Sequence, residues 1–195
     1  MNLKDSKTKE NLMRAFAGES QARNRYYIAS EVAKNEKLFI VQEVFKYTAD
    51  QERAHAKVFY DKLKEFAGEN IEICGAYPLD TYTTTLELLK AAHHNEMEEH
   101  DDVYKNFANV AKEEGFPDIA ATFEKIASIE KVHGNRFLSF ANELENGTLF
   151  KKAEDIQWMC THCGFVYEGK SAPVVCPVCQ YPQSYYIVFG NSLFE

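Results

Sequence analysis

Four long stretches of helical apolar periodicity, each interrupted near its midpoint by carboxylates, constrain the fold of this chain most strongly. The stretches run from Lys7 to Lys34, Leu38 to Phe66, Thr84 to Glu114 and Pro117 to Asn146. Their apolar residues recur at i, i+3, i+4 and i+7, which is the spacing of one helix face. Ser6 is a typical N-cap, and the Thr84–Glu87 pair matches a capping box. The pattern predicts an all-α four-helix bundle.

The interrupting residues indicate what lies at the centre of that bundle. They are Glu19 in the first stretch, Glu52 and His55 in the second, Glu96 and Glu99 in the third, and Glu130 and His133 in the fourth. Midpoints of antiparallel helices of equal length come to one level, so these side chains should meet in the core. Five buried carboxylates are very costly unless they are protonated or neutralised by metal ions.

The pattern of these residues indicates a site for two metal ions. One Glu from each of two helices plus Glu-x-x-His from each of the other two is the ligand pattern of di-iron and di-manganese bundles. The alternative is that these residues lie on ordinary solvated faces of a charged bundle. A connection of 17 residues, 67–83, separates the second and third stretches. It is long enough to span a helix of roughly 42 Å, as one-crossover ferritin-like bundles require.

Four of the five cysteines form a second candidate metal site near the C-terminus. The spacing is C-x2-C-x12-C-x2-C, with ligands Cys160, Cys163, Cys176 and Cys179. Composition shifts toward proline and short β-type runs near Lys151–Asp155, so we divide the chain into residues 1–150 and 151–195. A domain of 45 residues needs such a metal to stay folded. A zinc ribbon is the alternative, but Trp158, Gly164 and Tyr167 favour a β-rich rubredoxin-like iron domain.

Charge and hydropathy exclude several classes of protein. With 22 Lys and Arg against 30 Asp and Glu, the formal net charge is −8, which argues against a nucleic-acid partner. No apolar run approaches the ~20 residues of a membrane span, so no membrane association is expected. The first ten residues lack the apolar region of a secretory signal. The sequence therefore predicts a cytoplasmic protein.

The two candidate sites together resemble the rubrerythrin family, in which a ferritin-like di-iron bundle precedes a rubredoxin-like domain. The resemblance covers essentially the whole chain. It rests on Glu19, the motifs Glu52–His55, Glu96–Glu99 and Glu130–His133, and the two knuckles Cys160–Gly164 and Cys176–Cys179. The second Glu of the third helix separates rubrerythrins from plain ferritins. Gln180 departs from the glycine usual in free-standing rubredoxins, and we expect only a minor effect.

The resemblance implies a non-heme di-iron peroxidase that reduces hydrogen peroxide to water and protects the cell from oxidative stress. Its cofactors would be two Fe in the bundle and one Fe at the four cysteines, with zinc possible in recombinant material. Electrons would come from reduced rubredoxin or an NAD(P)H-dependent reductase. Because the rubredoxin-like domain of one subunit approaches the di-iron site of another in the family, we expect a homodimer or larger assembly.

The resemblance also implies individual roles. Glu52 and Glu130 match bridging carboxylates. Glu19 and Glu99 match ligands of one iron, and Glu96 and His133 match ligands of the other. In the family one iron moves with redox state, and here it would exchange Glu99 for His55. Tyr26 and Tyr104 match tyrosines beside the ligands and complete the candidate catalytic set.

Two other functions remain alternatives to the peroxidase. One is iron oxidation and storage, as in ferritins, and the other is a passive metal-stapled interaction protein. Several residues receive structural rather than functional predictions. Cys74 is expected to be a buried or semi-buried thiol, His93 and His100 packed or solvated side chains near the metal face, and His94 and His162 surface residues.

Overall fold

The computed structural model describes residues 2–192 and confirms the helical bundle with a small C-terminal β-domain. The helices are α1 (Lys7–Asn35), α2 (Phe39–Lys62), α3 (Thr85–Glu98), α4 (Tyr104–Glu113) and α5 (Pro117–Glu145). The predicted caps are present. The Ser6 side chain accepts the N–H of Lys9, and Thr84 accepts the N–H of Glu87, so both helices begin where the sequence indicates.

The third predicted helix is not one continuous α-helix, which corrects the sequence-based expectation. A π-helical turn, Glu99–Val103, separates α3 from α4. The second helix also ends earlier than predicted, at Lys62, and a 3-10 turn over Lys64–Phe66 follows it. π-Turns within α-helices are frequent at functional sites. This one begins at Glu99, which is one of the candidate ligands.

The bundle has two apolar layers with a polar layer between them. Helix α1 packs along α2, and α5 packs along α3 and α4. One apolar cluster contains Tyr26, Phe45 and Phe137, and the other contains Phe59 and Phe123. An irregular crossover from Ala67 to Thr84 joins the two helix pairs. Within residues 2–192, no helix combines the length and apolar character that a membrane span requires.

The C-terminal part is a three-stranded antiparallel sheet in the order β2-β1-β3. The strands are β1 (Lys151–Cys160), β2 (Val166–Ser171) and β3 (Tyr186–Val188). Trp158 is fully buried, and its indole N–H donates to the carbonyl of Gly169 at 2.8 Å. The sheet rests on one end of the bundle, where the ring of Tyr185 stacks on Phe39 with centroids 4.6 Å apart. It also contacts α5 through the ion pair between Lys152 and Glu143, so both helix pairs position it.

Candidate metal centres

The polar layer of the bundle contains two overlapping sets of ligand atoms. One set is Glu19, Glu52, His55 and Glu130, and the other is Glu52, Glu96, Glu130 and His133. In each set the ligand atoms lie within 4.8 Å of one another, and every residue is buried. Because Glu52 and Glu130 belong to both sets, their two carboxylate oxygens can reach two adjacent ions. This is the arrangement of a two-metal carboxylate–histidine site.

The i, i+3 spacing of the two Glu-x-x-His motifs produces the shared layer, since residues three apart lie on one helix face. His133 Nδ1 is 2.9 Å from both Glu52 Oε1 and Glu130 Oε2. His55 Nδ1 is 3.1 Å from Glu52 Oε2 and 3.0 Å from Glu130 Oε1. The imidazoles of α2 and α5, stacked with their ring centroids 5.5 Å apart, therefore contact the same pair of carboxylates.

The donor set fits metal ions better than it fits internal hydrogen bonding. Several buried atoms have no hydrogen-bond partner of proper geometry, although their neighbours are close: Glu19 Oε2, Glu52 Oε1, Glu96 Oε2, both oxygens of Glu130 and both ring nitrogens of His133. Leaving buried polar atoms unsatisfied costs about 1–3 kcal/mol each, and more for charged groups. A cation at each set would satisfy these atoms together.

The electrostatics of the metal-free layer follow from burial and mutual repulsion. Burial raises the pKa of Glu19 and Glu96 well above the usual carboxyl range, and the neighbouring carboxylates raise it further. Burial alone would lower the pKa of His133, but contacts with Glu130 and Glu52 raise it to about 11. Burial acts to raise the pKa of Glu52, yet His133 and His55 lower it to about 2. Without metal, protons on the imidazoles thus take over part of the neutralising role.

Two tyrosines hold carboxylates of the layer from outside. Tyr104 donates its hydroxyl hydrogen to Glu19 Oε1, and Tyr26 donates to Glu96 Oε1. Both rings are almost completely buried, one in each apolar cluster. Burial, and then the adjacent carboxylate, raises the pKa of each phenol well above its usual value, so both remain donors. Each hydroxyl fixes one oxygen and leaves the other directed into the layer.

Glu99 is the one candidate ligand of the bundle that the structure leaves outside both sets. It is half-buried and begins the π-turn, while His55 occupies a place in the set with Glu19. Burial, with repulsion from Glu130 and Glu52, raises the pKa of Glu99 to about 8. In the described residues the ligand atoms thus group His55, and not Glu99, with Glu19.

Gly134 shapes the site, although it is not among the residues that the motifs of the sequence indicate. A Cβ at this position would lie 3.1 Å from Met97 Sδ and 3.3 Å from Glu96 Cβ, so glycine permits the close approach of α5 to α3. A glycine inside a helix directly after a candidate ligand is itself a signal of such packing. His93 and His100 are not in either set. Their Nδ1 atoms bond the carbonyls of Gly134 and Ala127, at 2.9 and 2.7 Å.

The four cysteines of the C-terminal part form a separate tetrahedral arrangement. Their sulfur atoms lie within 4.8 Å of one another, and Cys160–Cys179 and Cys163–Cys176 are each separated by 3.7 Å. Four thiolates bound at ~2.3 Å around one ion stand about 3.8 Å apart. The sulfur positions therefore fit one tetrahedral metal ion rather than two disulfides.

The two cysteine knuckles have matching backbones. The N–H of Gly164 donates to the carbonyl of Cys160 at 2.8 Å, and the N–H of Gln180 donates to Cys176 at 3.0 Å. Gly164 has a φ of 78° and Gln180 a φ of 63°, so both occupy the left-handed region. Gln180 therefore adopts the conformation that glycine takes most easily, and its knuckle retains the same hydrogen bond.

The predicted exposure of two further residues, Cys74 and His162, can be compared with the structure. Cys74 is exposed, so the expectation of a buried or semi-buried thiol is wrong. The physical reason is that the crossover lies on the surface of the bundle, where the carbonyl of Cys74 accepts a bond from Arg14 Nε at 2.8 Å. His162 is exposed as predicted, and its ring stacks on Tyr181 with centroids 3.6 Å apart.

A one-crossover helical bundle around two overlapping carboxylate–histidine sets defines the class of ferritin-like di-iron carboxylate proteins. Comparison with known families narrows this class. The rubrerythrin family model matches residues 10–141, and the model of the rubrerythrin rubredoxin-like domain matches residues 158–187. The chain belongs to the rubrerythrin family, and it carries a di-iron site and a four-cysteine rubredoxin-like site.

Individual rubrerythrins are similar to this chain in sequence over almost the whole length of both chains. The chain is 48% identical to rubrerythrin from Clostridium perfringens over 192 residues, which is 98% of both chains. It is 40% identical to rubrerythrin from Nitratidesulfovibrio vulgaris, over 97% of both chains. Among solved structures, fully reduced, all-ferrous nigerythrin aligns with a TM-score of 0.64 at 26% identity, covering 95% of this chain and 90% of the other.

Proposed function

We propose that the protein is a non-heme di-iron peroxidase that reduces hydrogen peroxide to water in the cytoplasm, with electrons relayed through an iron ion at the four cysteines. The observation that carries this proposal is the pair of ligand sets sharing Glu52 and Glu130, in the same chain as a tetrahedral thiolate site. Two irons in the bundle would supply the two electrons that splitting the O–O bond of peroxide consumes. The thiolate site would return electrons one at a time.

The side chains of the bundle divide the remaining work. Glu52 and Glu130 would bridge the two ions, with Glu19 and His55 completing one set and Glu96 and His133 the other. Tyr104 and Tyr26 orient Glu19 and Glu96 through hydroxyl donors. Glu99, with a pKa of about 8 when it is free of metal, holds a proton at neutral pH. It would release that proton when it replaces His55 as a ligand, so that ligand exchange and proton delivery are linked.

Anaerobic stopped-flow mixing of the reduced, iron-loaded protein with hydrogen peroxide tests the proposal. We expect oxidation of the di-iron site to be much faster than oxidation of free ferrous iron. Glu99→Ala and His55→Ala should each fold and slow peroxide turnover, whereas Glu98→Ala, which alters an exposed neighbour, should not. A rate equal to that of free ferrous iron would exclude the peroxidase function. Unchanged turnover in both variants would exclude the ligand exchange.

Iron oxidation with storage is the second candidate function, and the helical bundle is compatible with it. A bacterioferritin from Desulfovibrio desulfuricans shares the fold, with a TM-score of 0.63 at 23% identity over 73% of this chain. Storage does not require an internal electron carrier, which is why we favour the peroxidase. Size in solution distinguishes them. A homodimer or small oligomer that accepts electrons from reduced rubredoxin or an NAD(P)H-dependent reductase supports the enzyme, and a cage of many subunits supports storage.

A further inference from the structure

A cavity of about 320 Å³ lies beside the polar layer that contains the two ligand sets, between α1, the crossover and the π-turn. Half-buried Glu99 and buried Tyr104 line it, and Tyr104 contacts the candidate ligand Glu19. Exposed Asp102 and Asn106 line its outer part, so it is accessible from solvent. The cavity therefore connects the surface with the one candidate ligand that the two metal sets leave free.

Most of the wall surface of this cavity is apolar, although polar and charged side chains, among them Arg14 and Asn95, also line it. Gly18 contributes from α1, Tyr77 and Pro78 from the crossover, and Val103 and Phe107 from the π-turn and α4. A water molecule takes up about 30 Å³ of liquid volume, so a molecule with only two oxygen atoms would occupy a small part of this space. Hydrogen peroxide requires neither a cavity of this size nor apolar walls. A peroxide that carries a hydrocarbon group would use both.

Specific hydrogen bonds fix the crossover over this cavity. Gln21 Nε2 donates to the carbonyl of Pro78 at 2.6 Å, and the Tyr77 hydroxyl donates to the carbonyl of Arg14 at 3.2 Å. Asp80 Oδ2 accepts from Arg25 Nη1 and from Asn95 Nδ2, both at 2.8 Å, and the Arg25–Asp80 pair is largely shielded from water. The space is thus bounded by a held segment on one side and by helices on the others.

We propose that this cavity makes small alkyl hydroperoxides a second class of substrate, with the alkyl group between Tyr77 and Phe107 and the hydroperoxide toward Glu99. The inference rests on the proposed peroxidase function. In the reaction the O–O bond of ROOH breaks, and two electrons come from the reduced metal pair as both ions pass from ferrous to ferric. The two protons come from solvent at the open side, one of them by way of Glu99, and the products are one alcohol and one water.

The test compares tert-butyl hydroperoxide with hydrogen peroxide on the reduced, iron-loaded protein. We expect both to oxidise the di-iron site faster than they oxidise free ferrous iron. A Cβ at Gly18 would lie 3.6 Å from the Tyr77 ring, so Gly18→Leu extends a side chain into the cavity. This variant should lower the ratio of the tert-butyl hydroperoxide rate to the hydrogen peroxide rate about ten-fold, the size of a steric conflict in an apolar pocket. Leu79→Ala, at an 84% exposed neighbour of the cavity wall, should leave the ratio unchanged.

A second variant and a second measurement keep the inference testable if Gly18→Leu does not fold. Tyr77→Ala removes a half-exposed wall and should raise the relative rate with the bulkier cumene hydroperoxide. Crystals of the zinc-loaded protein, which cannot reduce peroxides, should bind tert-butyl hydroperoxide between Tyr77 and Phe107.

Three results would overturn the inference. They are oxidation by hydrogen peroxide alone, a substrate ratio that neither variant changes, and an alkyl group absent from the cavity in the crystals. If neither peroxide oxidises the site, the proposed peroxidase function fails as well, and the two failures are thereby distinguished.

Discussion

At the scale of single residues, the tyrosine hydroxyls determine how the buried carboxylates are presented. Tyr104→Phe removes the donor to Glu19 Oε1 and leaves a buried oxygen without a partner, while the ring still packs against Phe59 and Phe123. We expect the bundle to fold and its iron affinity to fall about 10–100-fold, as is usual when the partner of a ligand is lost. Competition with a chelator measures this. Tyr60→Phe, at a 58% exposed ring, serves as the control, and equal affinity in both variants would contradict the prediction.

The free carboxyl of Glu99 should make the stability of the metal-free protein depend on pH. Its pKa rises from 4.5 to about 8 on folding, so between these values the folded state holds a proton that the unfolded chain has released. The contribution of this proton to the free energy of unfolding is therefore fully present below pH 4.5. It is lost as the pH rises through 8, where Glu99 ionises in the folded state as well.

Glu99→Gln imitates the protonated form at every pH. The metal-free variant should therefore lose less thermal stability than the parent between pH 6 and pH 9, by at least about 3 °C in Tm. Thermal melts of the metal-free proteins at the two pH values measure the difference. Glu98→Gln, at the exposed neighbouring position, should follow the parent. Parallel curves for Glu99→Gln and the parent would mean that Glu99 is already ionised in the folded protein.

At the scale of elements, the π-turn decides where Glu99 lies. Helix α3 is anchored through Glu96, which accepts from Tyr26, and α4 through Tyr104, which donates to Glu19. A π-turn contains an additional residue relative to an α-helix. Deleting the exposed Asp101 should therefore restore a continuous α-helix, keep both anchors and displace Glu99.

We expect the Asp101 deletion to retain the helical circular dichroism of the parent and to reduce peroxide turnover as much as Glu99→Ala does. The substitution Asp101→Ala keeps the length of the chain and should preserve turnover, because it removes only exposed contacts with Lys105 and His100. An active deletion variant would show that the π-turn has no part in the reaction.

The same element shows what the sequence can and cannot predict. The starts of α1 and α3 followed from Ser6 and Thr84, because caps are local hydrogen bonds that residue type specifies. The π-turn was not predicted, since apolar spacing of three and four residues continues on both sides of it. For the same reason the sequence identified Glu99 and His55 as alternatives on one polar layer without indicating which of them joins Glu19. That choice depends on the backbone register of the third helix.

At the scale of the whole molecule, the β-domain lies far from the polar layer, with its two ligand sets, of its own chain. It contacts the bundle through Phe39 and through an ion pair of 2.5 Å between Lys152 and Glu143. Glu52 follows Phe39 by thirteen positions in α2, a length of roughly 20 Å along the helix. We propose that residues 1–150 and 151–195 are separate folding units, and that electrons pass from the four-cysteine site of one subunit to the di-iron site of its partner.

Mixed oligomers test this transfer directly. Glu52→Ala removes a carboxylate shared by both ligand sets, and Cys176→Ser removes one thiolate, so neither variant alone should couple peroxide reduction to oxidation of the four-cysteine site. After joint refolding of equal amounts with iron, half of the dimers are mixed, and each mixed dimer has one complete path between subunits. Coupled oxidation should therefore return to about a quarter of the wild-type amplitude, followed by the ferric–thiolate absorption after addition of peroxide. Transfer within one chain would leave this mixture as inactive as its parents, since no single chain in it carries both sites intact.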